Sequence, residues 1–390
     1  MTSEWNHFAL GEITELVIDY RGKTPKKLGG DWCKQGYRAL SAKNIKTGRI
    51  VQAETIRYID ESLYRKWMKD EVQRGDILIT SEAPFGQIFF WDSDEKIVLS
   101  QRLFCVRIKP EYDARFIYYY MTTPEFQSEL DGRATGTTVI GLRQPELMKC
   151  VIRCPEIQEQ KVIAAILSSI DAKIIANEKV NDNLQQQAAT LFKALFVDHA
   201  PFDGTMPPNW TISTLGDVTE MGAGGDKPKE SSPVKTPLCP YPIYSNGIND
   251  YGLYGYTNEP KIKVESVTVS ARGTIGYVCL RHIPYVPIVR LVTLIPDTKV
   301  LSAKYLYLYL RQLHITGTGT TQQQLTVPDF RKTEIVIPDK NTMDAFTETV
   351  TPLFEQIWAN EDENTKLAEV RDALLPKLMS GEIDVSAVQL

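Results

Sequence analysis

The sequence predicts an α+β fold: two similar globular α/β domains separated by two long helices packed as an antiparallel coiled coil, with pseudo-two-fold symmetry. A duplicated heptad seam is the first reason. Ile163, Leu167, Ile170, Ile174, Asn177, Asn181, Leu184, Ala188, Leu191 and Leu195 recur at alternating steps of four and three, the spacing of a helix with a partner. Shifted by 183 residues, the seam returns as Phe346, Val350, Leu353, Ile357, Asn360, Asn364, Leu367, Arg371, Leu374 and Leu378. The second reason is a duplicated domain opening. Leu10-Gly11-Glu12-Ile13-Thr14-Glu15 leads to Lys23-Thr24-Pro25-Lys26, and Leu215-Gly216-Asp217-Val218-Thr219-Glu220 leads to Lys227-Pro228-Lys229. Internal repetition dictates architecture before any single residue does.

The asparagines specify the helix pair further. Asn177 and Asn181 fall at the same two seam positions as Asn360 and Asn364. A buried asparagine in an apolar seam costs stability and is best attested as a device that fixes register. Lying near each seam's midpoint, the four would meet in either helix direction. Connectivity separates the two cases. About 150 residues precede each helix, so an antiparallel pair sets the two preceding segments at opposite ends of a rod, whereas a parallel pair stacks them. We expect the two-headed rod; the duplicated asparagines argue against ordinary amphipathic helices in a single globular core.

The expected order is a first head over residues 1–156, a central helix over 157–197, a linker over 198–210, a second head over 211–340, and a terminal helix with its tail over 341–390. In head one the β-branched run Ile77-Leu78-Ile79-Thr80-Ser81 reads as a strand, reaching Gly86 through Glu82-Ala83-Pro84-Phe85. Its counterpart Val267-Thr268-Val269-Ser270 reaches Gly276 through Ala271-Arg272-Gly273-Thr274-Ile275. Helical stretches follow around 116–121 and 305–310, whose dense aromatics read as core packing. Gly136-Thr137-Thr138 and Gly319-Thr320-Thr321 come next, then an apolar strand and Pro155 or Pro338 before each long helix. The offset is 205 at the head openings and 183 at the helices, so head two is 22 residues shorter, a difference expected in loops. Asp198 to Asn209 is a proline- and glycine-rich connector.

Composition sets outer bounds. At 390 residues the chain exceeds one typical core. There is no apolar run long enough to cross a membrane and no basic-then-apolar start, so a cytoplasmic location is expected. The six cysteines, Cys33, Cys105, Cys150, Cys154, Cys239 and Cys279, show no framework spacing, Cys150 and Cys154 have no nearby histidine to complete a zinc set, and all six read as reduced, mostly buried thiols. The net charge of −5 is unevenly spread: residues 1–156 carry 23 basic against 22 acidic side chains, 201–340 carry 14 against 12, and 341–390 carry 3 against 10. The heads are therefore free to meet phosphates through local patches. Two non-identical heads on a rod also suit two half-sites, because half-site spacing mirrors protein geometry; about 36 helical residues at about 1.5 Å each span about 54 Å.

The chain resembles the specificity subunits of type I restriction-modification enzymes over essentially its whole length. The sharpest likeness is Leu374-Leu375-Pro376-Lys377-Leu378-Met379-Ser380-Gly381-Glu382-Ile383. The domain openings, the turn Arg272-Gly273-Thr274-Ile275-Gly276 and the Gly-Thr-Thr segments are similar to that family's target recognition domains. Head one departs from the pattern where Glu82-Ala83-Pro84-Phe85 replaces the basic turn. The resemblance implies a non-enzymatic, sequence-specific DNA-binding subunit that reads a bipartite asymmetric target, one half per head. It implies that the helices dock methyltransferase subunits, two of them, and that restriction subunits join. S-adenosylmethionine, ATP and magnesium then belong to the partners, and this chain takes no cofactor of its own. The alternatives are a coiled-coil scaffold binding only protein and a stand-alone restriction or modification enzyme.

Base-edge readout needs Arg or Lys for guanine, Asn or Gln for adenine, and Ser or Thr for several bases. In head two the candidates are Tyr244, Ser245, Asn246, Arg272, Thr320, Gln322, Gln323 and Gln324, with Lys227 and Lys229 as phosphate clamps. In head one they are Lys23, Lys26, Arg38, Ser41, Lys43, Asn44, Ser81, Thr137 and Thr138, where Arg38 to Lys46 reads as a groove-facing loop. Signals for catalysis are weak. Pro207-Pro208-Asn209-Trp210 has the wrong order for an amino-methyltransferase motif, and Gly222-Ala223-Gly224-Gly225 lacks the rest of a cofactor or phosphate loop. A nuclease centre of Asp76 with Asp94-Glu95-Lys96 is conceivable, but Asp94-Glu95-Lys96 reads more simply as a charged hairpin turn. His7, His199, His282 and His314 are scattered, so no metal set or triad is proposed.

Overall fold

The computed structural model describes residues 5–136, 140–316 and 324–388. Contacts divide it into two units: residues 1–175 with 363–390, and residues 176–362.

In the first unit, β1 (Asn6–Ala9), β2 (Thr14–Asp19), β3 (Tyr37–Leu40), β4 (Arg57–Ile59), the helix α1 (Glu61–Trp67), β5 (Ile77–Thr80), β6 (Ile88–Phe90), β7 (Ile97–Leu99) and β8 (Leu103–Ile108) are followed by α2 (Ala114–Met121), α3 (Pro124–Arg133) and β9 (Val151–Cys154). An antiparallel sheet runs β2-β8-β5-β6, and a second runs β4-β3-β7 with β3 and β7 parallel. Strand periodicity explains how one sheet serves two cores. Ile77 and Ile79 of β5, with Phe104 and Val106 of β8, face a core shared with α2. Leu78, Leu103 and Cys105 face the opposite core, filled by Trp67 of α1 and Leu99. Alternate side chains point to opposite faces of a strand, which is why all four residues of β5 are buried.

The second unit repeats this plan. Its strands are β10 (Thr211–Thr214), β11 (Thr219–Ala223), β12 (Tyr241–Tyr244), β13 (Leu253–Thr257), β14 (Ser266–Val269), β15 (Val278–Arg281), β16 (Val286–Pro287), β17 (Val292–Pro296) and, after the helix Ala303–Gln312, β18 (Glu334–Ile337). The main sheet runs β11-β17-β14-β15, and β12 pairs parallel with β16. Position for position this is the order of the first unit. The expectation that the shorter head loses only loops is incomplete: the segment joining β13 to β14 has no counterpart of α1. Without a Trp67 to cover it, the far face of the sheet is polar, where Arg281 Nε donates to Thr268 Oγ1 at 2.9 Å. Among the described residues a small cluster of Ile243, Val286 and Ile288 remains as a separate apolar group.

Two 40-residue helices, Ile157–Phe196 and Lys340–Met379, follow the heads. They pair antiparallel within both units. In the first, Arg371 Nη1 donates to Asp171 Oδ1 at 2.8 Å, Asn364 Nδ2 to the Ile174 carbonyl at 3.5 Å, and Lys173 meets Glu363 at 3.2 Å. In the second, Asn360 Nδ2 donates to Asn181 Oδ1 at 2.7 Å and Asn181 Nδ2 to the Ile357 carbonyl at 3.3 Å. As numbers rise on one helix they fall on the other. Asn177, Asn181 and Asn360 are buried.

The predicted seam fails at one end. Leu191 is exposed, while Phe192 and Phe196 are buried against Tyr305 and Phe346. A straight α-helix drifts about 20° per heptad from a strict seven-residue repeat. Here the drift is taken up by aromatic residues of the second head, whose rings reward the shifted face. The same shift buries Phe354 more deeply than Leu353. The terminal run singled out in the sequence packs into the first unit: Leu378, Met379 and Val385 join its core with Trp5. No helix among the described residues is long and apolar enough to cross a membrane.

Candidate nucleic-acid interface

Each main sheet ends in a turn closed by the same two backbone bonds. In the first unit Gly86 N–H donates to the Thr80 carbonyl at 3.1 Å and Leu142 N–H to the Ser81 carbonyl at 3.0 Å; in the second, Gly276 N–H donates to the Ser270 carbonyl at 3.0 Å and Leu325 N–H to the Ala271 carbonyl at 3.0 Å. Gly86 and Gly276 have φ of 70° and 83°, a conformation that glycine adopts without a Cβ clash. These bonds align Thr80 with Ser270 and Ser81 with Ala271, one step on from the match suggested by serine identity. They set Glu82 at the position of Arg272.

In the first unit this turn borders two neighbouring open clefts. One, of about 640 Å³, is lined by Lys26, Trp32, Ser41, Lys43, Arg57 and Arg102 among others. The other, of about 680 Å³, runs along Tyr20 to Lys23 and is closed by Glu82, Gln101 and Arg102. Lys26, Lys43 and Gln101 are exposed, so their polar ends face solvent on the rim.

Several candidates are already committed to internal bonds. Arg38 to Lys46 is not a groove-facing loop but strand β3 followed by a 3-10 turn at Ala42–Asn44 and a short strand at Ile45–Lys46. Arg38 pairs with Glu95, its Nε donating at 2.7 Å. Asn44 is buried; its Oδ1 accepts from Ser41 N–H at 3.1 Å and Ser41 Oγ at 2.9 Å, and its Nδ2 donates to Thr55 Oγ1 at 3.0 Å. Lys23 Nζ donates to the Trp67 carbonyl at 2.5 Å and sits 3.8 Å from the Tyr20 ring centroid, and burial pulls its pKa down. Ser81 is buried, its hydroxyl without a partner among the described residues. In the second unit Asn246 is a staple: its Oδ1 accepts from Ala271 N–H at 2.7 Å and its Nδ2 donates to the Val289 carbonyl at 2.5 Å. Tyr244 lies under the Arg281 guanidinium at 3.6 Å, and burial raises its phenol. Ser245 is partly buried, its N–H donating to the Gly252 carbonyl at 2.8 Å.

What remains outward is Lys26 and Lys43 in the first unit, and Lys227, Lys229 and Arg272 in the second. Arg272 Nη2 donates to Gln324 Oε1 at 2.9 Å, bringing two candidates together. Thr137, Thr138, Thr320, Gln322 and Gln323 lie outside the described residues. Two arginines were missed by sequence reasoning. Arg102 and Arg290 both hold left-handed backbone, φ 65° and 61°, just before the matched strands β8 and β17. The signal was present as Gln101-Arg102-Leu103 and Val289-Arg290-Leu291.

The imagined nuclease centre is taken apart by its own neighbours. Asp76 receives Arg107 through two bonds of 2.9 Å and Gln73 N–H at 2.8 Å. Asp94 pairs with Arg74 at 2.9 Å and Lys96 with Glu71 at 2.9 Å. The segment around them is not a hairpin turn, because β6 and β7 belong to different sheets.

The family model for the type I restriction modification DNA specificity domain matches residues 2–186 and again 207–369. The chain belongs to the type I restriction-modification DNA specificity family. DNA recognition is therefore its role. Within this specificity family the MjaIX specificity subunit of Methanocaldococcus jannaschii is 27% identical over 350 residues, covering 80% of this chain and 78% of that one. The HindI specificity subunit of Haemophilus influenzae is 24% identical over 406 residues, covering 81% and 88%. A crystal structure of the type I S subunit from M. genitalium shares the fold, with a TM-score of 0.60 at 17% identity and 96% of each chain covered.

Proposed function

We propose that this chain reads a bipartite, asymmetric DNA target, one half per head, and scaffolds two methyltransferase subunits and the restriction subunits along its helices, in the cytoplasm. The observation that carries this reading is the repeated sheet and turn, each followed by one helix of an antiparallel pair. One repeat unit per half-site is the economical match to DNA, where spacing is set by protein geometry. The working division is a head over 1–156, a helix over 157–197, a linker over 198–210, a head over 211–340, and a closing helix and tail over 341–390.

The chain performs no chemistry itself in this reading. Its best carboxylate for the purpose, Asp76, is 1% exposed and already neutralised by Arg107. Lys26, Lys43, Lys227 and Lys229 act on phosphates, and Arg272 with Gln324 acts on bases or phosphates. Phosphate contacts release counterions, so affinity falls steeply with salt. In a binding titration of the assembled complex, Lys26→Ala and Lys43→Ala should each lower the log–log salt slope by about one. A complex that forms without DNA and whose DNA affinity ignores salt contradicts the proposal.

A further inference from the structure

The duplicated heads form an internal comparison in which the backbone bonds closing the turn are kept and its charge is inverted. In head two Arg272, on the turn, and Arg290, just before β17, are both exposed. In head one the same two positions carry Glu82 and Arg102, and these pair with each other at 3.2 Å. The pair is half-open, with the Glu82 side chain 35% and the Arg102 side chain 49% exposed. It is therefore positioned to exchange an intramolecular partner for a ligand rather than to hold the core.

A carboxylate on a DNA-facing turn is repelled by phosphates, and that cost is recovered where it meets a hydrogen-bond donor. In the major groove guanine presents acceptors at N7 and O6, while cytosine N4 and adenine N6 are amino donors. Cations at the adjoining cleft, Lys26, Lys43 and Arg57, offset the local repulsion. We propose, resting on the DNA-reading function above, that Glu82, oriented by Arg102, is the specificity-determining acceptor of head one. It accepts from cytosine N4 and rejects guanine, whose O6 and N7 are acceptors, and adenine, whose N7 acceptor lies beside N6, at that position. Arg272, at the same position of head two, presents the inverse chemistry.

The test is selection from a library of randomised duplexes by the full-length chain assembled with its methyltransferase subunits, comparing wild type, Glu82→Gln and Glu82→Arg. Wild type should select a bipartite motif with cytosine at one position of one half. Glu82→Gln should weaken that preference on the order of tenfold, with adenine gaining because a carboxamide reads adenine N6 and N7, and leave the other half unchanged, and Glu82→Arg should move the position towards guanine. If the arginine variant does not fold, the near-isosteric glutamine variant carries the same comparison. An unchanged motif in the variants, or an equal loss of binding to every sequence, overturns the assignment of Glu82 while leaving DNA reading intact. A wild-type complex that selects no motif overturns DNA reading, and this inference with it.

Discussion

Replacing one member of the Asn181 and Asn360 pair should be worse than replacing both. Asn360 Nδ2 donates to Asn181 Oδ1 at 2.7 Å, both residues are nearly fully buried, and Gln356 Nε2 donates to Asn360 Oδ1 at 2.8 Å. Asn181→Leu strands the Asn360 amide against an apolar neighbour. Leaving a buried donor unsatisfied costs about 1–3 kcal/mol, and leucine burial recovers about 1.5 kcal/mol or more of it. In Asn181→Leu/Asn360→Leu no stranded amide remains at the contact and two leucines meet. The double variant should therefore exceed the less stable single variant, with a coupling energy of about 1–2 kcal/mol in a double-mutant cycle. Urea unfolding followed by helical circular dichroism measures all four corners. The doubly substituted helices should also lose uniqueness of register, seen as faster amide exchange around residue 181, because the polar contact that selects one alignment is gone. Additive effects across the cycle would refute the claim that the asparagines act as a coupled pair.

Further predictions follow from buried charge, titration, thiols and the tail. Arg107→Met leaves Asp76, 1% exposed, without its cation and should destabilise the first unit by about 3–5 kcal/mol; unfolding within 1 kcal/mol of wild type, about the value of a surface pair, contradicts that. Burial holds the Glu361 carboxyl above its ordinary value of 4.5, so the folded state keeps this proton to higher pH than the unfolded chain does. Its contribution to stability therefore falls as pH rises through that window, and Glu361→Gln should flatten the fall in a pH series of melting curves. Burial pushes the Cys150 and Cys154 thiols up to about 12, so brief maleimide labelling of the folded chain should reach the part-exposed Cys33 and Cys239 and spare these two until denaturant is added. Truncation before Leu378 removes Leu378, Met379 and Val385 from the core around Trp5; tryptophan emission should shift to the red, and unchanged emission would count against that packing.

The helix pair and the duplicated heads were readable because periodicity and repetition are properties of the chain itself. Alternating four and three steps need no knowledge of the partner, and the repeated asparagines named the contact that Asn181 and Asn360 make. The seam misled at Leu191, since which face is buried there depends on Tyr305 and Phe346, more than a hundred residues away. Site residues were far less legible. Asn44 and Asn246 have the side chains that read adenine, yet both are consumed by nearby backbone groups, a fate that composition does not reveal. Arg38, on β3, is paired by Glu95 from the irregular segment before β7. Arg102 and Arg290 escaped notice because an isolated arginine before a strand has no local pattern; comparing the two copies exposes them.

The most direct test of the account is single-base mapping of DNA methylation in cells that express this chain with its methyltransferase, before and after residues 211–338 are replaced by the second head of a relative. The account predicts a two-part motif with a constant unspecified gap, in which the exchange rewrites one part and leaves the other part and the gap intact. A contiguous motif, a change in both parts, or methylation indifferent to the chain would contradict it.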